Sequence, residues 1–184
     1  MATRHGIQER GKRREGGLSL LELAIVVAII AIVGATAVPS FTAAVDGRRL
    51  DAAATRLAAD LQFVRGEALA RNRSLRLSVR SGADASCWIV HTGNPADCSC
   101  TAAAATCSGD ALSIKSVVLP NSERVGVTGN VASIVFDPLH GTSTPTGTLR
   151  LIGAGGRAIH HVVNVLGRVR SCTPEGGVAG YPTC

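Results

Sequence analysis

The sequence predicts an α+β chain, a long N-terminal helix packed on a mainly antiparallel β head. Three observations predict it. The run from Leu18 to Val45 holds a single charged residue, Glu22. From Leu50 to Ala68 apolar residues recur at spacings of three and four, and from Ser74 onward the period becomes two.

The first element follows from charge and length. Residues 1–17 carry Arg4, Arg10, Lys12, Arg13 and Arg14 against Glu9 and Glu15, half of the formal excess of +6. The apolar run that follows needs about 20 helical residues to cross a bilayer core of about 30 Å, and it has them. A basic flank before such a run places the N-terminus in the cytoplasm and the rest of the chain on the other side. A secretory signal has a shorter apolar region and a small-residue cleavage site at its end; no clear Ala-x-Ala closes this one. Glu22 is costly in an apolar segment unless a cation pairs with it, so it implies a specific partner.

The second element is amphipathic. Leu50, Ala54, Leu57, Leu61, Val64 and Ala68 share one helical face, leaving Arg48, Arg49, Arg56, Asp60, Arg71 and Arg73 for the surface. Arg56 and Asp60 are spaced for an exposed i, i+4 pair worth a few tenths of a kcal/mol. The apolar stripe needs a partner, and a β-sheet of the same chain is the simplest.

Short β-type runs supply that sheet: Leu75 to Arg80, Cys87 to His91, Leu112 to Leu119, Val131 to Phe136, Thr148 to Ile152, Ile159 to Val165 and Arg168 to Ser171. Gly, Pro and Asn clusters punctuate them. A single sheet or two small ones on the helix fit equally. With aromatics at 3%, the core rests on Val, Leu, Ile and Ala, which argues against an enzyme with a deep aromatic pocket.

Motifs for chemistry are missing: the sequence holds no GxSxG elbow, no HExxH, no GxxxxGK[ST] loop and no cofactor fingerprint. His160 and His161 are adjacent, so in a strand they face opposite ways and do not share a metal. His140, His160 and His161 are expected on turn and strand surfaces. No catalysis, cofactor or metal is expected.

The six cysteines are Cys87, Cys98, Cys100, Cys107, Cys172 and Cys184. Zinc knuckles need a second close pair that this spacing lacks. An even count beyond a membrane fits oxidative folding. Cys172 with Cys184 is expected to close the C-terminal tail. Two bridges are expected among the other four, with all three pairings open.

One further stretch stands out. Between Asp137 and Glu175 there is no carboxylate, while Arg150, Arg157, Arg168 and Arg170 are present with the three histidines. Such a surface suits a polyanion. In a strand, Arg168 and Arg170 share one face with Val169 turned to the core.

The segment Gly16-Gly17-Leu18-Ser19-Leu20-Leu21-Glu22, with the apolar run to Val33 and Pro39 beyond, resembles the cleavage and methylation signal of type IV prepilins and type II secretion pseudopilins. The resemblance implies cleavage after Gly17 by a prepilin peptidase and methylation of the new N-terminus at Leu18. It implies that Glu22 pairs with a neighbouring subunit's N-terminal amine during assembly, and that Pro39 stands where pilin helices bend. Removing residues 1–17 would leave the apolar helix on the mature chain, available to bury against other helices in a filament.

Ala58 to Asn72, Phe136 to Gly141 and Gly167-Arg168-Val169-Arg170-Ser171-Cys172 are similar to the GspH/FimT/FimU branch of that family. In FimT-like members the Gly-Arg-x-Arg motif is linked to DNA binding in natural transformation, which implies such a role for Gly167, Arg168 and Arg170. Arg150 and Arg157 are further candidates from the carboxylate-free stretch. The expected organisation is a leader over 1–17, a transmembrane assembly helix over 18–45, an amphipathic helix over 46–73 and a disulfide-bearing periplasmic β head over 74–184.

The resemblance thus implies a minor type IV pilin of the FimT/FimU kind acting at or near a pilus tip, with the minor pseudopilin H of a type II secretion system as the alternative. Its implied partners are other minor pilins or pseudopilins, the major pilin, the prepilin peptidase, the inner-membrane assembly platform and sequence-nonspecific DNA. Its implied location is the bacterial inner membrane before assembly and the pilus or pseudopilus after it.

Overall fold

The computed structural model describes residues 19–101, 104–174 and 177–184. The chain divides into two units, one ending at Ser40 and one spanning Phe41–Cys184. Helix α1 runs over Leu20–Ala70, 51 residues. Ser19 starts it: its Oγ accepts the Glu22 N–H at 3.2 Å and its carbonyl accepts the Leu23 N–H at 3.1 Å. Ser19 and Glu22 have the S-x-x-E spacing of a capping box, which satisfies donors the first turn leaves open. At the other end Asn72 takes φ 48°. The Arg73 N–H then reaches the Ala68 carbonyl and the Asn72 N–H the Leu69 carbonyl, the paired bonds of a Schellman stop.

In the first unit the described apolar side chains are exposed, from Leu20 at 87% to Val38 at 62%. Among the described residues this is the one helix long and apolar enough to cross a membrane. Gly17 and Leu18 lie outside the described residues. Pro39 lies within the helical span.

The second unit is the head. Strands β1 (Leu75–Ser81), β2 (Ala85–His91), β3 (Cys98–Cys100), β4 (Ala105–Cys107), β5 (Ser113–Pro120), β6 (Gly126–Gly129), β7 (Ser133–Phe136), β8 (Ser143–Thr144), β9 (Gly147–Ile152), β10 (Ala158–Val163) and β11 (Val169–Cys172) form two main sheets and a small ribbon. One sheet has the order β5-β2-β1-β7-β8, the other β11-β10-β9-β6, and β3 pairs with β4. Every ladder is antiparallel.

Both sheets bury one face against the same stripe of α1. Leu50, Ala54, Leu57, Leu61, Val64 and Ala68 join Leu77, Ile134 and Phe136 from the first sheet and Leu149, Leu151 and Ile159 from the second in one core. Each such Leu or Ile contributes about 1.5–3 kcal/mol by leaving water. Three disulfides tie the periphery: Cys87–Cys100 joins the β3-β4 ribbon to β2, Cys98–Cys107 crosses the ribbon, and Cys172–Cys184 closes the tail on β11.

Two surface expectations are corrected here. Asp60 is 1% exposed and does not face solvent beside Arg56. Its Oδ2 accepts the indole N–H of the buried Trp88 at 2.7 Å, and its Oδ1 lies 2.5 Å from the Lys115 ammonium. That ammonium also sits 5.5 Å from the centre of the Phe63 ring. A buried carboxylate needs a cation and a donor, and β2 and β5 bring both to the helix. His161 is likewise buried rather than superficial, as the alternation of β10 requires once His160 faces outward.

Candidate functional site

Two regions carry the features singled out in the sequence. The first is the exposed apolar part of α1. Glu22 is the only charged residue between Ser19 and Val45. It sits in the first helical turn, where a carboxylate also favours the positive end of the helix dipole. The cap at Ser19, which the sequence reading passed over, was visible as Ser followed three residues later by Glu.

The second region is the outer face of the sheet β11-β10-β9-β6. Registers Thr128↔Arg150, Arg150↔His160 and His160↔Cys172 form one row across it, and Thr148↔Val162↔Arg170 form the next. Leu149, Leu151, Ile159 and Val163 alternate with these and face the core. Arg150 and Arg170 therefore share a face with His160. The His160 ring has its pKa lowered by partial burial and by the neighbouring Arg150 charge. Its Nδ1 lies 3.6 Å from Cys184 Sγ, so the closed tail borders this face.

Arg168 is exposed one position before β11 begins, rather than inside it, and Val169 is half-buried against the core. At the rise of an extended chain Arg168 and Arg170 stand about 7 Å apart. The turn before Arg168 is fixed by Asn164, whose carbonyl accepts the Gly167 N–H at 2.9 Å and whose Oδ1 accepts the Arg168 N–H at 2.9 Å. Gly167 is buried at φ 68°, and a Cβ there would lie 2.5 Å from the Gly141 carbonyl oxygen. Arg65 Nε donates to the same oxygen at 3.0 Å. Gly167 thus shapes the turn that presents Arg168, and its glycine is required by backbone conformation and close approach.

Arg157 does not join this face. It lies before the first residue of β10, at the opposite end from Arg168, and its guanidinium donates to the Ala43 carbonyl at 3.2 Å and packs on Gly47. The stretch without carboxylates is continuous in sequence, but the strand separates its two ends.

One further polar pair lies inside the head. Ser78 and His91 lie 2.8 Å apart, with the other His91 nitrogen 2.8 Å from the Thr92 carbonyl, an arrangement that resembles a nucleophile and base. Both side chains are fully buried, so no substrate reaches them. Burial dominates the lowered pKa of His91. Among the described residues no group of three or more His, Cys, Asp or Glu is placed to hold a metal.

His161 supplies a pH prediction. Its Nδ1 lies 2.9 Å from Ser171 Oγ, and burial lowers its pKa to about 4. The unfolded chain protonates this ring near pH ~6.5. The native state therefore gains from the neutral ring fully above pH ~6.5 and loses that gain as pH falls toward about 4, in total about 3 kcal/mol. His161→Leu is expected to flatten the dependence of denaturant stability on pH across that window. A slope equal to that of the unmodified chain would contradict the assignment.

Two family models match this chain. A family model described as type II transport protein GspH matches residues 53–167, and one described as the prokaryotic N-terminal methylation motif matches residues 12–38. Type II secretion system protein H of Xanthomonas campestris pv. campestris is 37% identical over 68 residues, which is 37% of this chain and 40% of that protein. The match thus spans well under two-thirds of the relative's length. Among solved structures, the type IV minor pilin FimU of Pseudomonas aeruginosa aligns over 68% of this chain and 97% of its own, at 16% identity and a TM-score of 0.49.

Proposed function

Because this chain belongs to the GspH family of type II transport proteins, the minor pilins and pseudopilins, we propose that it is a minor subunit that enters a pilus or secretion pseudopilus through α1. The observation that carries this reading is the exposed apolar segment from Leu20 to Val38 with Glu22 as its one charge. Such a surface cannot stay in water and has two chemically equivalent refuges, a bilayer and a bundle of like helices. The leader over 1–17 keeps the cytoplasmic end in place, peptidase cleavage after Gly17 frees the amine of Leu18, and Glu22 of one subunit neutralises that amine on the next. The head then lies on the periplasmic side, where its three disulfides form. The work of the protein is assembly with other pilins or pseudopilins on the inner-membrane platform, without catalytic turnover.

The relative named as a secretion protein favours the pseudopilus over the pilus. Deleting the gene and measuring secreted protein in the medium beside surface piliation separates the two. Lost secretion with normal piliation supports the pseudopilus reading. Lost piliation with normal secretion moves the chain to a pilus, and a strain unaffected in both contradicts the proposal.

A second reading is favoured by the outer face that carries Arg150, Arg168, Arg170 and His160. It contains no carboxylate between Asp137 and Glu175 in sequence, and its arginines are exposed. Sequence-nonspecific DNA is a fitting ligand, since phosphate contacts position a chain without reading bases. If this face holds DNA, affinity falls with salt, and replacing Arg168 and Arg170 together by Ala lowers the log–log salt slope by about two. An unchanged slope in the double variant rejects the DNA reading and leaves the assembly reading intact.

A further inference from the structure

Two turns of the head hold apolar side chains out in water, and no role described above uses them. The turn between β7 and β8 presents Leu139, and the turn between β10 and β11 presents Val165 and Leu166. Leu69, in the last turn of α1, is the fourth. Their exposures run from 43% at Leu69 to 72% at Leu139. Close contacts bring the three segments together. The Val165 carbonyl accepts the Ser143 N–H at 2.9 Å, a Cβ on Gly141 would lie 3.3 Å from Leu69 Cδ1, and Gly167 lies against the Gly141 carbonyl. One end of the head thus carries an apolar patch.

Single exposed leucines are ordinary on a protein surface, but these are held in place. Asp137 Oδ1 accepts the backbone N–H groups of Leu139 at 3.0 Å and of His140 at 2.9 Å, and the Asp137 carbonyl accepts the Gly141 N–H at 3.0 Å. In the other turn the Ser143 hydroxyl donates to the Asn164 carbonyl at 2.6 Å, and Asn164 Oδ1 holds the Arg168 N–H. Polar bonds therefore tie both turns down while their apolar side chains stay in water. A surface ordered in advance loses little freedom when a partner covers it.

The same segments decide what fits the patch. Residues 65–73, 137–141 and 164–168 contain Arg65, Arg71, Arg73 and Arg168 against Glu67 and Asp137. Both carboxylates are occupied: Glu67 lies 2.5 Å from Arg71, and Asp137 holds its own turn and lies 3.3 Å from the His140 ring. Arg65 gives its Nε to the neutral Gly141 carbonyl. Arg73 and Arg168 are exposed and form no ion pair among the described residues. An apolar centre with an unbalanced basic rim is complementary to an apolar surface rimmed by carboxylates. A second copy docking through the same patch would set arginines against arginines, which disfavours a two-fold pair. Nucleic acid has phosphates for the rim but no apolar surface that would cover four aliphatic side chains.

We propose that Leu69, Leu139, Val165 and Leu166 form the docking surface for the head of a different protein subunit, one that presents an apolar surface rimmed by carboxylates. This rests on the assembly reading above and names the surface by which the head selects its neighbour. An apolar helix accepts any like helix, so discrimination between subunits falls to a patch with its own shape and charge.

The test uses the full chain in the cells that make it. The photo-reactive residue p-benzoylphenylalanine is placed at Leu139, at Val165 and, as a control, at Ile152, an exposed apolar residue at the far end of β9. The filament fraction is irradiated and the adducts are sequenced by mass spectrometry. The expected result is that positions 139 and 165 join one and the same other protein, at peptides with Asp or Glu beside apolar residues, while position 152 does not. Arg73→Glu with Arg168→Glu is expected to lower that yield several-fold, and Arg73→Lys with Arg168→Lys to keep it. Leu139→Ser with Val165→Ser is expected to leave thermal unfolding nearly unchanged and to lower the amount of the chain in filaments by about tenfold. If the chain is present in filaments, this inference alone is overturned by any of four results: no adduct from positions 139 and 165, adducts to a second copy or to DNA, a yield unmoved by charge reversal, or full incorporation of the Ser variant. Absence of the unmodified chain from filaments overturns the assembly reading and this inference together.

Discussion

Glu22→Gln is expected to lower the amount of this chain in isolated filaments by about tenfold or more, with membrane insertion and removal of residues 1–17 unchanged. The magnitude follows from burial. If the apolar helices of neighbouring subunits pack together, the amine of Leu18 enters a water-poor bundle. Leaving a charge unpaired there costs several kcal/mol, whereas about 1.4 kcal/mol already changes an equilibrium tenfold. Gln is the informative replacement because it removes the charge and little else. The Glu22 backbone N–H, bound by Ser19 Oγ in the first turn, is untouched by the substitution, and Gln is accepted at this S-x-x-E position as Glu is. A loss seen with Gln therefore reports the missing charge rather than a frayed helix. Wild-type amounts of the Gln variant in filaments would remove Glu22 from the assembly mechanism.

Asp60→Ala is expected to destabilise the head by about 3 kcal/mol in denaturant unfolding. The substitution removes the acceptor for a fully buried Trp88 indole N–H and the counter-ion of Lys115 at once. An orphaned buried donor alone costs about 1–3 kcal/mol. Lys115 adds less, since its side chain is 40% exposed and regains water when the carboxylate goes. Asp60→Asn keeps an acceptor for Trp88 and is expected to cost roughly half as much. A change below about 1 kcal/mol for the Ala variant would show that the helix and the first sheet are not joined by this group.

These two residues also mark how far the sequence could be read. The helix and its buried stripe were legible because contacts along a helix face recur at three and four residues, and Leu50, Leu57, Leu61 and Val64 follow that spacing. Asp60 lies beside that stripe, and only the fold brings Trp88 and Lys115 to it. Seven strands were legible as short β-type runs, the first of them by strict alternation. Strand β6 did not, since Gly126-Val127-Thr128-Gly129 offers one buried apolar residue between two glycines. Strand β8 is two residues long, and the β3-β4 ribbon is shaped by cysteines whose pairing depends on which strands meet.

The candidate site divides in the same way. Glu22 was legible because a lone carboxylate in an apolar run demands explanation. Arg168 and Arg170 were legible as alternate residues, although Arg168 precedes the strand. Arg157 was grouped with them because the sequence between Asp137 and Glu175 lacks carboxylates; only the course of β10 separates it and carries it back to Ala43. Gly167 was legible as part of a motif, but its backbone reason, contact with Gly141 and Arg65, joins three distant segments.

The most direct measurement is the intact mass and N-terminal sequence of this chain in filaments sheared from cells and purified. The account predicts a chain that begins at Leu18, methylated on its amine and carrying three disulfides, present in the filament fraction. A chain confined to the membrane fraction with residues 1–17 still attached, or released as a soluble head cut after the apolar helix, would contradict it.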